Sequence, residues 1–315
     1  MQKKIIVVKI IAFITASIAL VAMSMNAPKA LRPKDKGLDP SSQVDTINEA
    51  YSYSLNNVHT GEANIECLYY NYLDFMYIKE FNFDEDFGTI RGLIVPHHLL
   101  AKDLIHEAFQ SASKYKTIVV FGPDHESTDR GKVFTSSSNW QSPMGILNAD
   151  KNLIRNLSKL DFVIENDHKI TIEHSISSLV PYIKHYFSDA KIVPLALTKQ
   201  LTHENLNNML SLLIENLDVE TTLFISSVDF SHYLSLEEAD IMDEVSIEAI
   251  VNKDVEKIME FTNDNLDSPN SIIAMLNAME LIEAKKVKVL NNSNSQIILN
   301  KKVDETTSYV TFLFY

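Results

Sequence analysis

From residue 88 onward, short apolar runs alternate with amphipathic stretches. That alternation predicts a mainly parallel or mixed central sheet with helices on both faces, an α/β fold. The clearest run is Thr117-Ile118-Val119-Val120-Phe121, β-branched or aromatic throughout and without charge, the pattern of a strand buried on both sides. Further strands are predicted over residues 89–95, 191–197, 221–227, 286–290 and 309–314. A helix over 98–115 would turn Leu99, Leu100, Leu104, Ile105 and Phe109 to one face. Others are predicted over 150–160 behind Asp150, over 173–187 with a kink at Pro181, over 202–217 behind Thr202, and over 236–251, 255–261 and 271–284. Residues 132–148 predict a hairpin, with Val133-Phe134-Thr135 and Gly145-Ile146-Leu147 flanking a turn at Trp140-Gln141-Ser142-Pro143. The run Asn291-Asn292-Ser293-Asn294-Ser295 predicts a loop.

The amino-terminal third has a different texture. Residues 10–27 carry no charge and follow Lys3, Lys4 and Lys9, so residues 1–30 are expected to be a signal peptide or an amino-terminal membrane anchor. Lys29, Arg32, Lys34 and Lys36 follow the run and rival the lysines before it, so charge does not fix an orientation. Residues 31–45, with Pro33, Gly37 and Pro40, read as a tether. Residues 46–87 are tyrosine-rich and aperiodic and are expected to be a peripheral lead-in to a domain over 88–315. These features predict a domain outside the cytoplasm, secreted or held at a membrane.

Composition narrows the function. Of 315 residues 45% are hydrophobic, enough for a sizeable core. The formal charge of −14 and the lack of a basic stripe argue against a nucleic-acid partner. Cys67 is the sole cysteine, so a metal would be held by His, Asp, Glu or hydroxyl groups. Seven glycines are placed for neither a dinucleotide fingerprint nor a P-loop, and the nucleophile elbow G-x-S-x-G is absent.

The candidate chemistry lies where predicted strands stop. Gly122-Pro123 breaks the central strand and delivers Asp124 and His125, Pro96 is followed by His97 and His98, and the strand ending at Ser227 leads to Asp229, Ser231 and His232. Open α/β sheets collect ligands at the carboxyl ends of their strands. A helix start adds Glu173 and His174. Imidazoles with an oxygen donor and open positions suit Fe(II), Zn(II) or Cu better than Mg or Ca. The competing reading of any one histidine is a hydrogen-bonded loop residue; its weight falls because the pattern recurs at three strand ends.

Five ordered motifs, "VPHH", "GPDHES", "FTSSSNWQSPMGILNAD", "IEHSISSLVPYI" followed by "KIVPLALTK", and "SSVDFSHY", resemble the Memo family, also called AmmeMemoRadiSam system protein B, over about residues 88–315. The resemblance implies a fold like that of LigB-type class III extradiol dioxygenases and a metal site whose first two ligands match His97 and His125. It also implies a third ligand that is a cysteine in eukaryotic members and matches Ser231 here. A hydroxyl is a poor ligand beside a thiolate, so His232 is the first substitute. The family's glycine near the 266–269 turn is replaced by Leu266-Asp267-Ser268-Pro269, and its terminal Val-Gly-Tyr by Thr307-Ser308-Tyr309, both read as local backbone changes.

The leading expectation is a mononuclear, non-haem iron, dioxygenase-like redox enzyme or a descendant of one. His97, His125 and either His232 or Ser231 would hold the metal, and His174 or Asp124 would handle protons. The alternatives are a non-catalytic scaffold that binds a metal or peptide, and a zinc-dependent hydrolase. The ligand would be a small molecule or a peptide.

Overall fold

The structure is a computed structural model that describes residues 64–125 and 129–315. The expected leader and tether lie outside the described residues. The strands are β1 (Asn64–Glu66), β2 (Gly92–Val95), β3 (Thr117–Pro123), β4 (Val133–Thr135), β5 (Asn139–Ser142), β6 (Gly145–Ala149), β7 (Val163–Glu165), β8 (Lys191–Leu197), β9 (Thr222–Ser227), β10 (Val287–Asn294) and β11 (Ser308–Phe314). The helices are α1 (Lys102–Ser111), α2 (Lys151–Leu157), α3 (Asp167–Ile172), α4 (His174–Ser177), α5 (Val180–Tyr186), α6 (His203–Asn216), α7 (Leu236–Val251), α8 (Val255–Met259), α9 (Pro269–Leu281) and α10 (Ser295–Leu299).

Nine strands follow the order β1-β5-β6-β8-β3-β9-β2-β11-β10, while β4 branches from β8 and carries β7 on its other side. The centre, β8-β3-β9-β2, is parallel throughout, while β11 and β10 add antiparallel pairs on one side. The sheet is therefore mixed with a parallel heart. Alternate residues serve two cores. Ile94, Val119, Phe121, Val193, Leu195 and Phe224 pack on one face against α2, α6 and α9. Leu93, Val95, Ile118, Val120, Ile192 and Ile225 pack on the other against α1, α4 and α5. Central strands buried on both sides need continuous apolar sequence, which is what these segments carry. Each fully buried Leu, Ile, Val or Phe adds about 1.5–3 kcal/mol of apolar transfer energy.

Several expectations are corrected. Residues 173–187 form two helices: α4 ends at Ser177, and Pro181 stands in the first turn of α5, where its missing N–H costs no bond. The hairpin is β5–β6 alone. Val133–Thr135 pairs instead with β7 in parallel and with β8 antiparallel. The polar run at 291–294 continues β10 past a bulge between Val289 and Asn291. An edge strand tolerates such polarity because one of its flanks faces no neighbour. Part of the stretch read as a peripheral lead-in joins the sheet, as β1 pairs with β5 and Phe75 meets Tyr182 at 4.8 Å between ring centroids.

Candidate metal centre

Because β3, β9 and β2 are parallel neighbours, their carboxyl ends lie side by side on one edge of the sheet. β2 runs into Pro96 and His97, β3 into Asp124 and His125, and β9 into Val228 and Asp229. Val228 N–H donates to the Val95 carbonyl at 2.9 Å, carrying the β9–β2 ladder beyond Ser227. His97 is buried, with its N–H donating to Asp229 Oδ1 at 3.0 Å. On the other side of the sheet, Glu173 caps α4 by accepting from Ser175 N at 2.8 Å. The same carboxylate accepts from His125 N at 2.7 Å and lies 2.9 Å from His125 Nδ1. Gly122 lets this turn lie against β3, since a Cβ there would stand 2.5 Å from Ser175 Oγ.

The rings of His97, His125 and His174 meet. His125 and His174 stack with centroids 4.3 Å apart, and His97 stands edge-on to both at 5.3 and 5.0 Å. One ring nitrogen from each lies within 4.8 Å of the others. A second cluster joins His97 to Asp229 and Asp267. Asp267 Oδ2 lies 3.3 Å from His97 Nε2 and 3.5 Å from His125 Nε2, while Asp229 Oδ2 is 3.7 Å from His97 Nε2. Asp267 reaches this point because an antiparallel bridge pairs Leu266 with Phe230, and Asp267 N–H donates to the Asp229 carbonyl at 3.1 Å. The next residue, Ser268, caps α9 ahead of Pro269. His and Asp side chains thus form a candidate metal-binding site.

Burial drives the electrostatics. It depresses His97 well below the usual histidine value, and the neighbouring imidazoles add to the effect. Burial likewise lowers His174, with the charge of His125 acting in the same direction. At His125 burial also opposes the charged form, but the hydrogen bonds and charges of Asp267 and Glu173 outweigh it and push the ring up to about 10. Asp267 is raised, first by burial and then by the negative charge of Asp229. Its Oδ1 and the His232 Nδ1 are buried with no hydrogen-bond partner.

The comparisons add a family. The family described as Memo-like protein matches residues 71–313. The chain belongs to the Memo family. A MEMO1 family protein of Methanosarcina barkeri is 33% identical over 217 residues, which is 66% of this chain and 80% of that relative. Those of Caldivirga maquilingensis and Pyrobaculum aerophilum are 27% and 29% identical, and the matches span only 44% and 34% of their lengths. A solved structure of an uncharacterized Escherichia coli K12 protein superposes with a TM-score of 0.46 at 11% identity, covering 70% of this chain and 99% of its own. The match to the Memo family begins at residue 71, within the stretch expected to precede the domain. The central sheet with helices on both faces is the LigB-like architecture expected of the family.

In this Memo-family protein His97, His125 and His174 come together, whereas His232 and Ser231 are in neither donor cluster. His232 is close enough for its charge to act on both His97 and Asp267. The Ser231 hydroxyl is taken up by Asp243 Oδ1 at 2.6 Å, so the oxygen beside the two histidines comes from Asp267 instead. Asp124 Oδ2 stands 3.9 Å from Lys169 Nζ and joins neither cluster. His98 caps the following turn, its Nδ1 accepting from Leu100 N at 3.2 Å. Sequence reasoning reaches Asp229 and Glu173 as acids at a strand end and a helix start, without assigning either to the metal, and misses Asp267. The available signal was Asp267-Ser268-Pro269, an acid directly before a strong helix start.

Proposed function

We propose that His97 Nε2, His125 Nε2 and Asp267 Oδ2 hold one divalent metal ion, Fe(II) in preference to Zn(II) or Cu. On this reading the protein is a metal-dependent redox enzyme, or descends from one, that acts on a small molecule or peptide. The observation that carries it is the position of Asp267 Oδ2, 3.3 and 3.5 Å from the two ring nitrogens. Donors at roughly 2.0–2.2 Å from one ion stand about 3.0–3.5 Å from each other. The orphaned Oδ1 of the same carboxylate fits a group whose partner is a bound ion or substrate. Two imidazoles and a carboxylate with open positions are the donor set of non-haem Fe(II) oxygenases.

A bound iron would supply Lewis acidity and a one-electron couple to a substrate beside it. The chain's own groups do the rest. Asp229 fixes the His97 backbone, and Glu173 fixes His125. His174, with 38% of its side chain exposed and its basicity lowered by burial, is neutral near pH 7 and takes a proton from a substrate docked against it. Tyr69, with its ring centroid 5.8 Å from that of His174, flanks the same side.

Metal analysis of anaerobically purified protein tests the reading. Iron near one equivalent is expected, falling to background in Asp267→Asn, His97→Ala and His125→Ala with far-UV circular dichroism preserved. Tightly retained zinc would favour the hydrolase, and metal unchanged in all three variants would refute this site.

A further inference from the structure

Glu173 and Ser175 supply no donor to the proposed ion, yet one turn of chain connects them to both histidines that do. Each imidazole can carry its proton on either nitrogen, and only the tautomer with a bare Nε2 can present that atom to a metal beside Asp267. The hydrogen bonds decide which nitrogen is bare.

At His125 the partner of Nδ1 is Glu173 Oε1 at 2.9 Å. A carboxylate whose two oxygens already accept backbone N–H groups, from His125 and from Ser175, stands as an acceptor toward Nδ1 as well. Nδ1 therefore keeps its hydrogen, and Nε2 is the nitrogen that gives up a proton to meet an ion beside Asp267. Glu173 cannot swing away, because Oε2 also accepts from His125 N at 2.7 Å and Oε1 from Ser175 N at 2.8 Å.

At His97 the partner of Nδ1 is the Ser227 hydroxyl at 3.2 Å, which alone could donate or accept. Its single hydrogen, however, goes to the Ser175 carbonyl. The hydroxyl is thereby left as an acceptor, so His97 Nδ1 also carries a hydrogen. Ser175 is itself tied down by its hydroxyl, which donates to the Pro123 carbonyl at 2.9 Å.

We propose that the Glu173-His174-Ser175 turn sets the tautomers of both metal-binding histidines, directly through the Glu173 carboxylate at His125 and through the Ser175 carbonyl and Ser227 hydroxyl at His97. This rests on the metal reading above and makes Glu173 and Ser227 positioning residues. Hydrogen-bonded partners of ligand imidazoles fix ring orientation and raise basicity, and their loss typically costs 10- to 100-fold in metal affinity.

Full-length protein labelled with 15N and loaded with Zn(II), a diamagnetic probe, gives the test. Long-range proton–nitrogen correlation should show His97 and His125 each protonated at Nδ1 and coordinated through Nε2, a readout that needs no substitution. Glu173→Gln should weaken Zn(II) binding about 10- to 100-fold and move the Nδ1 signal of His125 alone. Ser227→Ala should weaken it similarly and move that of His97 alone. Coordination through Nδ1 by either ring, or wild-type affinity in both variants, would overturn the positioning role while leaving the metal site standing. Absence of stoichiometric Zn(II) uptake by the wild type would take down the metal site and this inference together.

Discussion

Ser231 shows how one side chain can be read as a ligand from its place in the chain and turn out to have another employment. Its hydroxyl donates to Asp243, a carboxylate raised to about 6 by burial and eased downward by this hydrogen bond. Ser231→Ala should therefore leave metal content untouched. Removing a donor from a buried carboxylate is expected to lower stability by about 1–3 kcal/mol, visible as a lower chemical-denaturation midpoint. A metal content that falls with Ser231→Ala would return Ser231 to the ligand set. His97 and His125 were legible because each follows a proline that ends an apolar strand. Asp267 was not, because its approach depends on the long-range bridge between Leu266 and Phe230.

Among the elements, the turn before α4 is the tightest fit. A methyl group at Gly122 would meet Ser175 Oγ at 2.5 Å and Ile176 Cγ1 at 3.3 Å, so Gly122→Ala should displace that turn. Overpacking of this kind costs about 1–3 kcal/mol, and melting temperature and metal affinity should fall together. A second element-scale test lies where α1 meets the short turn Tyr72–Phe75. His106 Nε2 donates to the Asp74 carbonyl and its Nδ1 pairs with Tyr186 Oη, and burial lowers the ring to about 4. Its contribution to stability is present above the unfolded value near 6.5 and is lost as pH falls through about 4. Asp74 is raised to about 6, chiefly by burial, with Lys102 opposing. Its contribution has the opposite slope, present below the unfolded value and lost as pH rises through about 6. Asp74→Asn removes the compensation, so its melting temperature relative to wild type should drop as pH falls from 6.5 to 4; an unchanged difference would refute the assignment. The strands β8 and β9 were readable to within a residue because parallel strands with two buried faces demand uninterrupted apolar sequence, while β3 runs through Gly122 and Pro123, past the break expected there. β10 was cut short because its outer half is polar, and β7 and α3 were missed because three to six residues carry too little period.

For the whole molecule, the charge-free run at residues 10–27 and the lysines before it lead to the proposal that the domain resides outside the cytoplasm; among the described residues no helix is long and apolar enough to cross a membrane. Protease added to intact cells should degrade the domain, and protection until the membrane is breached would place it inside. The position of β11 bears on how such a chain is made. β11 lies between β2 and β10, and Arg91 N–H donates to the Phe314 carbonyl at 2.7 Å. The strand that delivers His97 therefore keeps a bare edge through synthesis until residues 308–314 emerge, and a bare apolar edge invites pairing with other chains. A ribosome that stalls before residue 308 would leave a product with every residue of the metal site already present but open to aggregation along β2.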